Sequence, residues 1–325
     1  MILRRLLLSM LVLATAGASC TSGENGSNGN LDTSFGAQMA STWHYAGAPQ
    51  RVQVGIVASD ADGRHFVTQG TIDLAFSYLG TDGGAEPAAG PTATATYVPV
   101  PGTDASGDGP TIVSGARGVY AAKDVTFNEA GVWRATLSME IDGIARRLTT
   151  DFQVDPTSQI PAPGMPAPKT ENLTIASKGV RKGAIDSMAD VGGEIPDPEL
   201  HRWTIADAVA EGRPALVLFG TPAYCTSQFC GPEVTELQRL AAEHPDRAVY
   251  IHVEIWKEYA PPETQVVNKG AADWLLRKLP DGTPQMTEPW LFLVGADGIV
   301  ADRWGPLFDT AEVAAALEAL PPMKT

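Results

Sequence analysis

The hydrophobic pattern of the chain changes its period at a Pro-rich stretch, residues 156–168. Before this stretch, apolar and polar residues alternate in short runs such as 71–78 and 132–139, and a period of two is typical of strands with one buried face. After it, helical and strand patterns alternate along the chain. Because the prolines are spaced by small residues, the stretch is expected to act as a semi-rigid linker between two domains.

The first domain, residues 39–155, is predicted to be all-β. Its short strands are separated by Gly-rich and Asp-Gly turns with no helical periodicity between them, which favours an antiparallel sandwich. Residues 125–133 resemble the strand, turn and strand of small immunoglobulin-like domains. We find no catalytic set of residues in this part.

The second domain, residues 199–325, follows a linker and lead-in at 156–198. Its patterns run helix, strand, helix, strand, helix, strand, strand, helix. That order predicts a three-layer α/β domain.

The N-terminus has the pattern of a secretory leader. A basic start with Arg4 and Arg5 precedes the apolar run 6–16, which is too short for a membrane span of about 18 residues, and small residues then lead to Cys20. Residues 1–19 resemble the signal peptide of bacterial lipoproteins, and 20–38 form a polar tether. The resemblance implies a diacylated, palmitate-bearing Cys20 that anchors the protein on the extracytoplasmic face of the cell membrane, where disulfides can form.

The charge of the chain argues against nucleic acid as a partner. There are 23 Lys and Arg residues against 38 Asp and Glu residues, a net charge of −15, and loss of the two leader arginines gives −15 − 2 = −17. Phosphate backbones would be repelled.

With Cys20 assigned to the lipid, Cys225 and Cys230 remain as a pair of thiols in a secreted chain. They lie between a buried strand and a helix, where the positive end of the helix dipole favours the thiolate. Five helical residues rotate the chain by a net angle of about 140°, so part of 226–229 must be loop if a disulfide closes.

This strand, cysteine pair and helix resemble the active-site segment of the thioredoxin superfamily. Residues 287–293 resemble the segment that holds the family's cis-proline, and the final hairpin and helix match in order. The resemblance implies that Cys225 attacks a substrate disulfide and Cys230 resolves the mixed disulfide. It implies no organic cofactor and no metal, and it implies a substrate-binding surface formed by Tyr224, Glu288, Pro289 and Trp290.

Two features depart from that family. Four residues, instead of two, separate the cysteines. The family's buried acid would lie near Leu218 or Phe219, and both are apolar.

The sequence therefore predicts a membrane-tethered thiol–disulfide oxidoreductase for secreted or membrane proteins, and it leaves two alternatives open. Residues 219–221 are similar to the strand before the cysteines in Sco-type copper chaperones. That family also uses a His far downstream of the cysteines as a copper ligand. In this chain no His follows His252, and only Met286 could take the place of that ligand. The other alternative is a binding domain with a structural disulfide. His201 lacks ligand spacing, so a surface or capping role is expected. His252 and Glu254 share one face of the second strand, where a hydrogen-bonded polar pair at the end of the sheet is expected; the alternative is that they approach the cysteine loop from beneath.

Overall fold

The computed structural model describes residues 33–103, 107–113, 117–227, 229–279 and 282–323. The predicted leader and Cys20 lie outside these ranges. The molecule is mostly β, with 42% strand and 17% helix. Within the described ranges, every helix is too short or too polar to cross a membrane.

Ten strands form one large curled sheet in the first half of the chain. The alternation of buried and exposed residues is clear in β5, where every second residue from Ile72 to Phe76 is buried. The order across the sheet is β2-β10-β9-β5-β6-β8-β3-β4-β7, with β1 paired to β3, and only β2 and β10 run parallel. The strands are β1 Ser34–Met39, β2 His44–Tyr45, β3 Gln50–Asp60, β4 Gly63–Thr68, β5 Thr71–Tyr78, β6 Ala88–Pro99, β7 Thr111–Val113, β8 Gly118–Val125, β9 Gly131–Ile141 and β10 Ile144–Asp155.

Aromatic side chains fill the space that this sheet encloses. Trp133 is 1% exposed, and its ring centroid lies 5.0 Å from that of Phe127. Phe76 meets Phe127 edge to face at 5.3 Å. The Trp133 ring lies so close to the backbone of β6 that a Cβ atom on Gly90 would be 2.4 Å from the ring. Glycine is therefore required at this position.

The second half of the chain contains a four-stranded sheet of order β12-β11-β17-β18. β11 and β12 run parallel, and the other neighbours are antiparallel. Helices α2 and α4 pack on the face that includes Phe219, and α3 and α5 pack on the face that includes Leu218. The elements are α1 Met188–Gly192, α2 Ile205–Ala210, β11 Ala215–Gly220, α3 Cys230–Glu243, β12 Val249–Glu254, β13 Trp256–Ala260, β14 Thr264–Val267, α4 Lys269–Leu275, β15 Arg277–Lys278, β16 Pro284–Gln285, β17 Trp290–Val294, β18 Val300–Trp304 and α5 Thr310–Ala319, with 3₁₀ turns at Lys182–Ala184 and Pro198–His201.

The fold class expected from the sequence, an immunoglobulin-like sandwich followed by an α/β thioredoxin-like domain, is wrong. The first ten strands join in one continuous curled sheet instead of two facing sheets. In the second half, the predicted strands and helices do form, but the chain adds two β-ribbons, β13–β14 and β15–β16. Only α3 and α5 among the five described α-helices exceed seven residues. The thioredoxin-like assignment counted the alternating elements and overlooked these ribbons, so it overstated the helical part of a mostly β molecule.

The two halves are joined by direct contacts as well as by the Pro-rich stretch. Ile160 in that stretch is 1% exposed, and its carbonyl accepts a hydrogen bond from Arg303. The buried Gln53 side chain donates to the carbonyl of Leu307 at 2.5 Å and accepts from its N–H at 3.3 Å. The Trp43 indole donates to Thr287 Oγ1 at 2.9 Å. The connection between β1 and β2 thereby holds the loop that precedes β17.

Candidate functional site

Cys225 and Cys230 form a disulfide, with their Cα atoms 6.1 Å apart. Cys230 is the first residue of α3 and is fully buried, whereas Cys225 lies in the preceding turn and is half-buried. Thr226, Ser227 and Phe229 lie outside the helix, which confirms that the segment between the cysteines leaves the helical path. One sulfur is therefore open to a partner and the other is shielded.

The start of α3 stabilises charge on the outer sulfur. The backbone N–H of Cys230 donates to Cys225 Sγ at 3.4 Å, and Ser227 Oγ lies 3.2 Å from the same sulfur. The Cys230 N–H and the Ser227 hydroxyl both direct the positive ends of their dipoles toward Cys225 Sγ. The dipole of the 14-residue helix α3 has the same direction. A thiolate at Cys225 would be favoured over the thiol.

An acid lies beside the inner sulfur. Glu288 Oε2 is 4.0 Å from Cys230 Sγ. Burial, with a smaller contribution from Glu254, raises the pKa of Glu288 to about 8, against a backbone hydrogen bond from Thr221 and the charge of His252. The buried acid of the thioredoxin superfamily was expected near Leu218 or Phe219 on β11, which are apolar, and the carboxyl group that lies beside the inner sulfur is instead that of the residue before Pro289.

The other predicted binding residues differ in how accessible they are. The Glu288–Pro289 peptide bond is cis, as the family resemblance implied. Pro289 is buried near Cys230, since a Cβ atom placed on Gly220 would contact both residues. Trp290 is 5% exposed and its indole donates to Thr287 at 3.0 Å, so its ring belongs to the core and offers little surface to a substrate.

Aromatic rings next to Cys225 form the more open surface. The Tyr224 ring stacks on Tyr259 with centroids 4.4 Å apart, and Trp256 lies 5.1 Å from Tyr259. The Tyr224 hydroxyl donates to Asp190 Oδ2 at 2.7 Å, and Arg181 binds the same carboxylate. Trp256 and Tyr259 belong to the ribbon β13–β14, which was not predicted; from the sequence, Trp256 could be considered for a substrate groove, whereas Tyr259 carried no signal.

A buried polar cluster lies beneath the cysteine loop. It contains Asp186, Asp197, His201 and His252, each 0% exposed. His201 is thus not at the surface. His252 does reach the loop, because its Nε2 lies 3.1 Å from the carbonyl oxygen of Gly220. Burial alone would lower the pKa of His252, but Asp186 raises it to about 9.

Ser187 and Glu254 connect this cluster to the loop. Glu254 Oε2 accepts from the backbone N–H of Ser187 at 2.8 Å. The Ser187 hydroxyl accepts from the N–H of Ala223 at 3.1 Å and from the hydroxyl of Thr221 at 3.3 Å. Because Asp186 precedes Ser187, the buried cluster and the segment that carries Cys225 share one hydrogen-bonded framework.

Comparison with known proteins identifies no family for this chain. The chain matches no protein-family model, no curated protein and no solved structure.

Proposed function

We propose that this protein carries out thiol–disulfide exchange with secreted or membrane proteins on the extracytoplasmic face of a bacterial membrane. The observation that carries the proposal is the asymmetry of the cysteine pair. Cys225 is half-buried beside positive backbone groups, and Cys230 is fully buried beside the carboxyl group of Glu288. A structural disulfide has no need for this arrangement.

Reduction of a substrate disulfide begins from the dithiol form. The Cys225 thiolate attacks one substrate sulfur, a new S–S bond forms, and the second substrate sulfur leaves as a thiolate. Cys230 then attacks Cys225 Sγ, the mixed disulfide breaks, and the first substrate sulfur leaves. The substrate gains two electrons and the protein becomes the Cys225–Cys230 disulfide. The reverse sequence oxidises a substrate dithiol.

Glu288 serves the second step as the proton acceptor of Cys230. A thiol must lose its proton before it attacks a disulfide, and burial opposes charge on Cys230 itself. With a pKa of about 8, the Glu288 carboxylate is basic enough to take a thiol proton. It can return that proton when Cys230 leaves in the reverse direction.

Tyr224 and Tyr259 suit the contact with a protein substrate. Their rings are stacked, Tyr224 directly precedes Cys225, and both tyrosines are half-buried, as Cys225 is. Anchoring through an acylated Cys20 would confine the protein to substrates at the membrane surface.

A trapping experiment tests the proposal. In Cys230→Ser, the second step cannot occur, so Cys225 should accumulate mixed disulfides with extracytoplasmic proteins that reductant releases. The matched control is Cys225→Ser, which keeps the buried thiol and should trap nothing. If Cys230→Ser captures no partner and the wild-type disulfide resists mild reduction, the disulfide is structural. Stoichiometric Cu(I) binding by the reduced protein without trapped partners would instead favour the copper-chaperone alternative.

A further inference from the structure

Four side chains from separate segments converge in the buried cluster beneath the cysteine loop. Asp186 follows the first 3₁₀ turn, Asp197 and His201 lie at the two ends of the second, and His252 lies in β12. One nitrogen or oxygen atom from each residue lies within 4.8 Å of the other three. All four residues are 0% exposed.

Three separations between these atoms match those of ligands around a metal ion. His201 Nε2 lies 3.3 Å from Asp186 Oδ2 and 3.4 Å from Asp197 Oδ1, and His252 Nδ1 lies 3.5 Å from Asp186 Oδ2. The contact of 3.3 Å is also a long hydrogen bond, whereas ordinary N–H···O bonds measure about 2.7–3.2 Å. Ligands about 2.0–2.2 Å from a tetrahedral ion are separated by about 3.3–3.6 Å, because the edge of a tetrahedron is about 1.6 times its radius.

Unpaired polar atoms point to a missing positive charge. Within the described part of the chain, neither carboxylate oxygen of Asp197 accepts a hydrogen bond, and Nδ1 of His252 has no hydrogen-bond partner. The nearest donor to Asp197 is His201 Nε2 at 3.4 Å, which compensates poorly for the water that a fully buried carboxylate has lost. A bound cation would satisfy these atoms together.

Contacts outside the cluster orient the ligand atoms. The Gly220 carbonyl can only accept, so His252 Nε2 carries a proton and donates at 3.1 Å. A metal ion would take the place of the Nδ1 proton, and the Nδ1 lone pair would then be directed toward the ion. A second ring nitrogen bonded to a backbone carbonyl is the usual arrangement in metal-binding histidines. Asp186 Oδ1 accepts from the Met188 N–H at 2.8 Å, which leaves Oδ2 for the cluster.

We propose that Asp186, Asp197, His201 and His252 bind one divalent first-row transition-metal ion, with Zn²⁺ as the best fit. Two carboxylates balance the charge of the ion, and imidazole and carboxylate together suit zinc. Four protein ligands in a closed site are typical of structural zinc. The ion would fix residues 186–201 against β12, and through Ser187 it would hold the loop that carries Cys225.

Metal content of the full-length protein with its disulfide intact tests the proposal. After chelation and dialysis against Zn²⁺, the protein should contain about one zinc ion per chain, the content of a single four-ligand site. Asp197→Asn and His252→Gln should lose most of it. His244→Gln, which alters a histidine outside the cluster, should keep it. Cys225→Ser/Cys230→Ser should also keep it, which separates this site from the thiols.

A spectroscopic readout keeps the proposal testable if the ligand variants fail to fold. Wild-type protein loaded with Co²⁺ should show the visible bands of tetrahedral cobalt without sulfur-to-metal charge transfer. Wild-type protein that binds no Zn²⁺ and gives no such bands would overturn the proposal. It would also fail if folded Asp197→Asn held as much zinc as the wild type, or if Ca²⁺ displaced zinc at equal concentration.

Discussion

Replacement of Glu288 by Gln should make the oxidised protein more stable at high pH. In the folded protein, burial raises the pKa of Glu288 from an ordinary value of 4.5 to about 8. The folded state therefore holds a proton that the unfolded state has released, and the free energy of unfolding falls as the pH rises from 4.5 to 8. At about 1.36 kcal/mol per pKa unit the upper limit of this loss is about 5 kcal/mol. Because water still reaches part of the carboxyl group, we expect a gain on the order of 2–3 kcal/mol for Glu288→Gln at high pH.

Urea denaturation of wild type and variant between pH 5 and pH 9, with the disulfide intact, measures this difference. The two proteins should have similar stability at pH 5, and the advantage of Glu288→Gln should grow until about pH 8. Glu258→Gln is the matched control, since Glu258 is exposed on β13 and should show no such trend. A difference that stays constant across the range would refute the assignment of a raised pKa to Glu288, and with it the role of this carboxyl as a proton acceptor.

Two further predictions concern the joined halves and the anchor. Gln53→Leu should lower the free energy of unfolding by about 2–4 kcal/mol, because it leaves the buried N–H and carbonyl of Leu307 without their hydrogen-bond partners. Gln38→Leu, at an exposed position of β1, should change the free energy of unfolding little. Urea denaturation measures both differences. Cys20→Ser should move the protein from the detergent phase to the aqueous phase, and equal partitioning of both forms would contradict lipidation.

Local structure in this chain follows from local patterns. The alternation at 71–78 predicted β5, and the apolar run after Pro214 predicted β11. The failure came in assembling the elements. The pairing of β5 with β9 joins residues about sixty positions apart, and no local pattern encodes such a choice. The ribbon β13–β14 is rich in exposed polar residues, so it lacks the buried face that marks a strand in a sequence.

The candidate site could likewise be predicted from the sequence only where its signal is local. The cysteine pair was visible because thiols are rare and the helix start is a local signal. The acid at Glu288 was visible only as a neighbour of Pro289, because its role depends on a 4.0 Å approach to Cys230 from 58 residues away. For the buried cluster, the sequence raised only the alternative that His252 approaches the cysteine loop, and the four-residue separation of Asp197 and His201 was not recognised as ligand spacing. The other two members come from distant segments.

The hydrogen bond between Trp43 and Thr287 limits how this protein can be divided. Thr287 lies next to Glu288, so Trp43, in the connection between β1 and β2, helps to position the acid beside the disulfide. A fragment that begins after the Pro-rich stretch would lose this bond and both bonds from Gln53 to Leu307. The ten-stranded sheet is consequently not an interchangeable spacer, and transplanting the cysteine-bearing half onto another carrier would change the site it was meant to preserve.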